Sequence, residues 1–488
     1  MVGKSRSVLI FLSLATLALP AGALGNEASW LTGIIHVHSN FSSGSYSIEE
    51  LADRAESVGA DFLILTDHDL AVMAYGLQPF QKFLKKKYEK RSIISQGPEV
   101  YLTEIARVNA GQKAVLIIPG VQSTPHYFWQ GSLLTSNLTS INARREVLIL
   151  GLDRAEQYRN LPIVHNPRAY YRLDLFQGEL IFFALASMAG LVLLFNRPLF
   201  KVLGLGVILL CLAGTLNSQI RVPYPFDQYH DFGYRPYQVL LDYVAQNGGL
   251  SFWAHPESVY AERGVSYGPI TMRTAQYPAA LIRTNNYTGF EAVYGDKNHL
   301  REPGREWDAA LLGYINGLRQ NYPVAIAGSD YHSEGMSETK LNEFKTVVRA
   351  TGKSKAEILA ALQAGRVYAL RQLTNYHLIL ETFKIIGSEG QTADGPGSTI
   401  ESAGPVQILA RVTFSDHESR ETTIQLISNG REIKKITGKT PLDFSYNDTQ
   451  DPLGATVYYR LNVSSAAGLL TTNPIFVSFP PQADGTSE

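Results

Sequence analysis

Residues 33–39 read Gly-Ile-Ile-His-Val-His-Ser, and residues 62–69 read Phe-Leu-Ile-Leu-Thr-Asp-His-Asp. Each stretch is an apolar run that ends in polar residues, which is typical of a buried strand and the loop after it. Side chains two residues apart on a strand point to the same face, so His36 and His38 are predicted to project together. Two imidazoles presented in this way suit a divalent transition metal.

A helix is predicted between these two strands. Ser47 and Glu50 have the spacing of a capping box, and an apolar stripe follows them. The stripe consists of Ile48, Leu51, Ala55 and Val58. Strand, helix and strand together form a βαβ unit whose polar residues follow both strands. In α/β folds the chemistry lies at these carboxyl ends of the strands.

The His-x-His and Thr-Asp-His motifs resemble those of the polymerase and histidinol phosphatase (PHP) family. The resemblance covers about Leu31–Leu370 and includes three later motifs. These are His255-Pro256 after an apolar run, Glu291 within the predicted strand Gly289–Val293, and Ser329-Asp330-Tyr331-His332 after the predicted strand Val324–Ala327. It implies an α/β fold with a distorted (β/α)7 barrel. It also implies a metal-dependent phosphoesterase that binds two or three divalent ions, with Mn, Fe and Zn left open.

The resemblance also implies the residues of the site. The predicted metal ligands are His36, His38, His68, Gln122, His255, Glu291, Asp330 and His332. Glu291 is either a ligand or a group that orients a histidine, and the sequence leaves this open. Asp67 is predicted to orient His68 or to accept a proton in catalysis. A metal-activated hydroxide would then attack a phosphate ester.

Three positions depart from the family pattern. Gln122 stands where a metal-bridging glutamate is usual, and Ser43 lies near the place of an aspartate or histidine. Glu146, just before a strand predicted at Val147–Leu152, replaces a histidine. A neutral amide holds a metal pair less well than a carboxylate, and nearby His126 is an alternative ligand. A rival interpretation is therefore a degenerate barrel that acts as an exported, metal-containing binding or assembly module. A third interpretation is that the site hydrolyses a non-phosphate ester or an amide.

Length, charge and cysteine content limit the number of domains and the kinds of partner and metal site that the chain can have. The chain of 488 residues is long enough for two or three domains. Its net charge of −1 gives no general attraction to nucleic acid, and no nucleic-acid partner is predicted. The single cysteine, Cys211, excludes a disulfide framework and a thiolate metal site.

The N-terminus and two central runs predict export and membrane attachment. Lys4 and Arg6 precede an apolar run and a small-residue stretch, so residues 1–25 are predicted to be a signal peptide or an uncleaved N-terminal anchor. The apolar runs Leu180–Phe195 and Leu199–Leu216 predict a transmembrane helical hairpin at 176–217, with a buried helical pair as the alternative. Positive charge at the hairpin tip places the rest of the chain on the extracytoplasmic, periplasmic side of the membrane.

A lysine-rich segment, Phe80–Arg91, follows the second motif. One interpretation is the solvated face of a helix. The other is a basic rim that attracts phosphate groups or anionic lipid.

The composition changes after the barrel. Short alternating runs between about Tyr376 and Ser478, with Asn429-Gly430 as a turn, predict an Ig-like antiparallel β-sandwich. The predicted domains are barrel parts at 30–175 and 218–372, the hairpin between them, the sandwich at 373–479 and a disordered tail at 480–488. The second barrel part is predicted to end with a strand at Val367–Leu370. The predicted partners are the membrane and a small-molecule or polymeric phosphoester.

Overall fold

A computed structural model describes residues 28–77, 81, 84–111, 113–166, 168, 172–173, 178–217, 221–222, 225–295, 298–335, 339–449 and 454–481. The predicted signal peptide or anchor at 1–25, and 482–488 of the predicted tail, lie outside these residues. The described chain is a mixed α/β structure. Its first part comprises β1 (Ser29–Val37), α1 (Ile48–Ser57), β2 (Phe62–Leu65), β3 (Val72–Gly76), β4 (Lys85–Glu89), α2 (Ile93–Gln96), α3 (Pro98–Ala110), β5 (Leu116–Ser123), β6 (Phe128–Gln130), β7 (Thr139–Ile141), β8 (Val147–Leu150), α4 (Ala155–Arg159) and β9 (Arg172–Leu173).

Two apolar helices and a second α/β part follow. These elements are α5 (Gly178–Leu193), α6 (Pro198–Asn217), β10 (Arg221–Val222), α7 (Arg235–Gln246), β11 (Leu250–Trp253), α8 (Tyr260–Arg263), β12 (Val265–Tyr267), β13 (Ile270–Arg273), α9 (Ala280–Arg283), β14 (Gly289–Val293), α10 (Glu306–Ile315), β15 (Val324–Ala327), β16 (Phe344–Ala350), α11 (Lys355–Gln363) and β17 (Val367–Gln372).

The C-terminal part consists of strands. They are β18 (Leu378–Ile386), β19 (Thr392–Asp394), β20 (Thr399–Glu401), β21 (Val406–Phe414), β22 (Glu421–Ser428), β23 (Arg431–Lys439), β24 (Leu442–Asp448), β25 (Thr456–Ser465), β26 (Gly468–Thr472) and β27 (Ile475–Ser478).

Seven neighbouring strands carry the motif residues, in the order β1, β2, β5, β8, β11, β14 and β15. Neighbours in this set are parallel except at β8, which runs antiparallel to both β5 and β11. All four residues of β2 are buried, as expected for a strand covered on both faces. The carboxyl ends of six strands and the N-terminal end of β8 therefore share one edge.

The backbone after β15 joins the two ends of this strand array. Ser329 N–H donates to Ile35 O at 3.0 Å, and Tyr331 N–H donates to His36 O at 3.1 Å. His38 N–H returns a bond to Tyr331 O at 2.9 Å. As a result, the motifs that follow the first and last strands of the array lie side by side.

The predicted helix between the first two strands is confirmed as α1. Ser47 and Glu50 form the predicted capping box, in which each side chain bonds the backbone N–H of the other residue. The apolar positions Ile48, Leu51 and Ala55 are buried against the sheet. Local sequence signals thus fix both the start and the buried face of this helix.

Three elements differ from the sequence predictions. The segment predicted as a helix face at Phe80–Arg91 contains β4, which pairs with β3, because its lysine-rich residues offer no apolar stripe for a helix to bury. The strand predicted at Val147–Leu152 is β8, and it runs antiparallel to its neighbours. The strand predicted to end the barrel, at Val367–Leu370, is β17, which lies beyond β16 and pairs with β26.

The central apolar runs form α5 and α6, which contact each other closely. Pro198–Leu216 is long and apolar enough to cross a membrane by length and composition, and most of it is exposed; Leu180–Leu194 is shorter. The short antiparallel pair of β9 and β10 joins the segments on either side of the two helices.

The C-terminal strands form two antiparallel sets that share one hydrophobic core. One set is ordered β19, β18, β21 and β24, whereas β26, β25, β22 and β23 continue the main sheet from β17. Phe383 and Ile408 from the first set pack in the same core as Leu461 and Leu470 from the second. The turn predicted at Asn429-Gly430 is confirmed between β22 and β23, with positive φ at both residues.

Candidate metal centre

The predicted ligands converge at the edge where the six parallel strands end. His36 and His38 come from the end of β1, His68 follows β2, and His255 follows β11. A register irregularity lies at His36, whose φ is +70°, so the pair does not follow regular strand alternation. The two imidazole rings nevertheless lie 5.4 Å apart.

Asp330 lies at the centre of the cluster. Its Oδ1 is 3.1 Å from His36 Nε2, 3.4 Å from His38 Nε2 and 3.3 Å from His332 Nε2. Two groups could each hold a metal ion, namely His36 with His255 and Asp330, and His38 with Asp330 and His332. Asp330 belongs to both groups, so one carboxylate could bridge two neighbouring ions.

Each of four histidines is held on its Nδ1 side by a neighbouring residue. Nδ1 of His36 lies 2.6 Å from Glu291 Oε1, and Nδ1 of His332 lies 3.0 Å from Ser43 Oγ. Ser42 Oγ lies 3.4 Å from Nδ1 of His38, and Tyr277 OH lies 3.4 Å from Nδ1 of His255. Metal-binding histidines are oriented in this way, with one ring nitrogen held and the other free for the ion.

The opposite ring nitrogens are aimed at the centre. Nε2 of His36 and Nε2 of His38 are buried and have no aligned hydrogen-bond partner in the described part of the chain. Buried polar atoms rarely lack a partner without a ligand or a functional reason. These atoms therefore fit nitrogen donors to a cation.

Backbone strain concentrates at the same place. His36, His255 and Asp330 have φ values of +70°, +30° and +46°, a region that residues other than glycine seldom occupy. Such strain persists where surrounding structure imposes it, commonly at functional sites.

Both carboxylate oxygens of Glu291 contact histidines of the cluster. Its Oε1 bonds His36, while its Oε2 accepts a 2.6 Å bond from His255 N–H. A Cβ at Gly328 would lie 1.7 Å from Oε1, so the glycine leaves the space that this carboxylate fills. These contacts correspond to the orienting role, one of the two that the sequence left open.

Glu146 and Gln122 complete the cluster beside His255. Glu146 Oε2 lies 3.1 Å from His255 Nε2, and Gln122 Nε2 lies 3.5 Å from the same atom. Gln122 Oε1 is buried without a partner among the described residues, which leaves a carbonyl oxygen able to bind a cation. Sequence reasoning treated Glu146 as a lost histidine, but the reversed direction of β8 places it at the site as an additional carboxylate.

Asp67 has a different environment from the predicted one. Its carboxylate accepts bonds from Ser39 N–H at 2.9 Å, Ser39 Oγ at 2.7 Å and Ser42 Oγ at 2.6 Å. Burial raises the pKa of Asp67 to about 6, although these bonds oppose the shift. Asp67 therefore fixes the loop after β1, and no bond to His68 is found among its described contacts.

The remaining predicted residues have distinct positions. His68 packs against the His38 ring at 4.8 Å, and burial lowers its pKa to about 4. His126, the alternative ligand, lies among Phe128, Phe226 and Phe232 and in neither metal group of the described residues.

The electrostatic environment differs from ligand to ligand. Burial opposes protonation of His36, but Glu291 and Asp330 outweigh it and raise the pKa of His36 well above its usual value, so a bound cation would have to replace that proton. Burial, together with His332, lowers the pKa of His38 well below its usual value. Burial opposes the charge of Asp330, yet His36, His332 and His38 together outweigh it and keep the pKa of Asp330 well below its usual range. Neutral imidazoles and an ionised carboxylate are the forms that bind metals.

Comparison with known proteins supports part of the prediction. The PHP domain family model matches residues 35–175 and confirms the predicted PHP domain over that range. The matched range contains His36, His38, His68, Gln122 and Glu146, and it ends before α5. No curated protein matches the chain.

Several solved structures are similar to the chain at low levels. A two-domain protein from Bacteroides vulgatus, described as containing a predicted PHP-like metal-dependent phosphoesterase, shows 13% identity and a TM-score of 0.35; the alignment covers 92% of this chain and 95% of that one. A candidate metal-dependent phosphoesterase from Bifidobacterium adolescentis shows 13% identity and a TM-score of 0.28, covering 64% and 91%. An amidohydrolase from Chromobacterium violaceum, with bound sulfate and no metal, shows 15% identity and a TM-score of 0.26, covering 63% and 90%.

Proposed function

We propose that the chain is a metal-dependent hydrolase that cleaves a phosphate ester at this cluster. The observation that carries the proposal is the set of four histidines whose Nδ1 sides are held by Glu291, Ser42, Ser43 and Tyr277. Three of these histidines also direct Nε2 at one oxygen of Asp330, a convergence that a purely structural cluster does not need. The PHP family match over residues 35–175 supports the same class of reaction.

The donor set fits two divalent ions. His36, His255 and Asp330 would hold one ion, with Glu146 and Gln122 beside them, and His38, His332 and Asp330 would hold the other. Nitrogen and oxygen donors of this kind suit Mn, Fe or Zn. When bound, such ions lower the pKa of water and neutralise charge on a phosphate ester.

The residues of the chain position these groups. Glu291 fixes the His36 ring, and its second oxygen fixes the backbone at His255. Tyr294 OH donates to Asp330 Oδ2 at 3.2 Å, which leaves Oδ1 facing the three histidines. Burial opposes the charge of Glu146, but His255 outweighs it and lowers the pKa of Glu146, so an ionised carboxylate that could accept a proton lies beside His255.

The neutral side chain of Gln122 supports a rival function, that of an exported metal-containing binding module. Gln122 brings no charge to the position where the family usually has a metal-bridging glutamate, which weakens binding of an ion pair there. Hydrolysis of a non-phosphate ester or an amide is a further alternative, since the same donors serve it.

Metal content and activity test these functions together. Wild type and Gln122→Glu would be analysed for bound metal and assayed on a chromogenic phosphodiester, a monoester, a carboxylic ester and an amide. Two or more ions per chain with phosphoester hydrolysis by the wild type support the proposal. One ion or none, with hydrolysis only in Gln122→Glu, would establish the binding module instead.

We further propose the finer architecture. The seven strands would form a (β/α)7 barrel, supported by the backbone bonds between the segment after β15 and β1. Helices α5 and α6 would form a membrane-spanning hairpin, supported by exposed Phe182, Leu185, Val202 and Leu209. The C-terminal strands would form a β-sandwich around their shared core.

With the hairpin in a membrane, the catalytic part would lie on the extracytoplasmic side. Fractionation with a carbonate wash and C-terminal reporter fusions test this placement. We expect the chain to stay in washed membranes and only reporters active outside the cytoplasm to function. Release by carbonate would contradict membrane insertion.

A further inference from the structure

The hairpin of β3 and β4 carries positive charge and apolar side chains together. Lys85, Lys86 and Lys87 are exposed along β4, and Leu84 and Tyr88 beside them are 57% and 62% exposed. Exposed lysines interleaved with aromatic and aliphatic groups are typical of segments that meet an anionic membrane surface.

The hairpin is a direct extension of the metal-site loop. Asp69, next to His68, donates its backbone N–H to Gln122 O at 3.0 Å, and β3 begins three residues later. The chain returns from β4 to Ile93, whose N–H donates to His68 O at 3.0 Å. Both ends of the hairpin are thus fixed to residues of the cluster.

Aromatic side chains fix the free edge of β3. Ala74 N–H donates to Tyr127 OH at 2.8 Å, and Trp129 Nε1–H donates to Ala74 O at 2.8 Å. Tyr229 OH donates to Gly76 O at 2.9 Å. These bonds hold the hairpin in a defined position relative to the segments that supply the aromatic residues.

These aromatic residues also connect the hairpin to the apolar helices. Tyr229 lies seven residues after Val222, the last residue of β10, so the chain between them spans at most about 25 Å. The backbone N–H of Trp129 donates to Gln228 O at 2.8 Å, so the segment that carries Trp129 lies beside the segment that carries Tyr229. The lysine hairpin is therefore bonded to Tyr229, which lies within about 25 Å of β10, the strand that follows the two apolar helices.

We propose that the β3–β4 hairpin binds anionic lipid head groups and that the phosphate ester cleaved at the metal centre is carried by a membrane lipid. This rests on the proposed hydrolase function. The lysines would attract the anionic surface, Leu84 and Tyr88 would enter the head-group layer, and the attached His68 loop would lie near lipid phosphates. Each lysine near an anionic surface contributes about fivefold to binding.

Charge reversal on the hairpin tests the proposal. The full chain would be reconstituted in nanodiscs of phosphatidylcholine alone or with phosphatidylglycerol, as wild type and as Lys85→Glu/Lys86→Glu/Lys87→Glu. Hydrolysis of a fluorescent phospholipid and of a soluble chromogenic phosphodiester would be measured in the same samples. The matched control is Lys434→Glu/Lys435→Glu/Lys439→Glu, which reverses three exposed lysines on β23.

We expect phosphatidylglycerol to stimulate lipid hydrolysis at least tenfold in wild type and in the control. The hairpin variant should lose this stimulation and keep wild-type hydrolysis of the soluble ester, and high salt should abolish the stimulation as well. Equal lipid hydrolysis by wild type and the hairpin variant in both nanodisc compositions would overturn the proposal. So would the same loss in the β23 control.

A second readout separates lipid contact from catalysis. A polarity-sensitive fluorophore on Tyr88→Cys, in a Cys211→Ser background, should shift to the blue only in nanodiscs with phosphatidylglycerol. A blue shift without hydrolysis of any ester would retain the lipid contact and reject the hydrolase function. Soluble-ester hydrolysis without a blue shift would retain the hydrolase and reject the lipid contact.

Discussion

At the scale of single residues, Asp330 is the group on which the candidate site depends most. Its Oδ1 faces three histidine nitrogens, and it belongs to both three-residue groups that could hold a metal. His38, in contrast, contributes to only one of these groups. The two side chains therefore differ in how many ions each would control.

Replacing Asp330 by alanine should abolish metal retention and hydrolysis, because both groups lose their shared carboxylate. His38→Ala should also abolish hydrolysis, which needs both ions, and should remove metal from its own group first. Elemental analysis and ester hydrolysis check both variants, with exposed Asp416→Ala as the control. Activity like that of the wild type in Asp330→Ala would contradict the assignment.

Gly328 is needed for the carboxylate that orients His36. Gly328→Ala would place a methyl group 1.7 Å from Glu291 Oε1, so the carboxylate must move away from His36. We expect metal affinity to fall by about 10- to 100-fold, as when an orienting partner of a metal ligand is lost. Metal titration measures the effect. Gly313→Ala, in a helix with its nearest contact at 3.6 Å, is the matched control and should bind metal normally.

At the scale of elements, the edge of β15 is protected by a side chain instead of another strand. Asn473 Oδ1 accepts from Ala325 N–H, and its Nδ2 donates to Ala325 O and to Val367 O. Asn473 is fully buried between β26 and β27. It satisfies backbone groups that the strand order leaves open on this side of β15.

Asn473→Ala should destabilise the protein by about 3 kcal/mol, because it leaves buried backbone groups of Ala325 without partners. Chemical denaturation measures the free energy of unfolding. Asn447→Ala, at an exposed position of β24, should change that free energy by less than about 0.5 kcal/mol. Equal effects of the two substitutions would show that Asn473 does not hold this edge.

At the scale of the whole molecule, a buried ion pair joins the C-terminal strands to the α/β part. Arg460 on β25 bonds both carboxylate oxygens of Asp308 on α10, at 2.9 and 2.7 Å, and Tyr458 OH donates to the same carboxylate. Arg460 also lies over the Trp307 ring. The main sheet runs through the same junction, from β17 to β26.

Arg460→Met should cost about 3 to 5 kcal/mol, because an unpaired carboxylate stays buried. The double variant Arg460→Met/Asp308→Leu should recover most of this loss, since it removes both charges. Denaturant titration of the single and double variants measures the recovery. Asp443→Ala, which breaks the exposed pair with Arg411, should cost less than about 1 kcal/mol.

His165 should make stability depend on pH. Burial, with Lys85 and Lys87 nearby, lowers its pKa to about 4, and its Nε2 lies 2.7 Å from Tyr127 OH. The unfolded chain, with a pKa near 6.5, binds the proton more tightly. This contribution to stability is therefore present above about pH 6.5 and is lost as the pH falls toward 4.

His165→Asn should reduce the loss of stability between pH 7 and pH 5 by about 2 kcal/mol relative to wild type. Asparagine tolerates the positive φ of this position, and the histidines of the metal centre titrate in both proteins. Denaturation at the two pH values gives the difference. An identical loss in both proteins would exclude His165 as its source.

The sequence determined those features that follow from local patterns. The periodicity of α1, its capping box, the apolar strands and the positions of the histidine motifs all depend on residues close together in the chain. These patterns were sufficient to predict the PHP domain over residues 35–175. They also identified β14 and β15 with their bounds.

Only the tertiary structure decided which side chains complete the site. Strand direction is set by pairing between distant segments, so the sequence could not show that β8 is reversed and brings Glu146 to His255. Nor could it show that the two oxygens of Glu291 contact His36 and His255, or that β4 pairs with β3. Local patterns specify elements, whereas contacts between elements specify the role of each polar group, because hydrogen-bond partners depend on distances that only the packed chain defines.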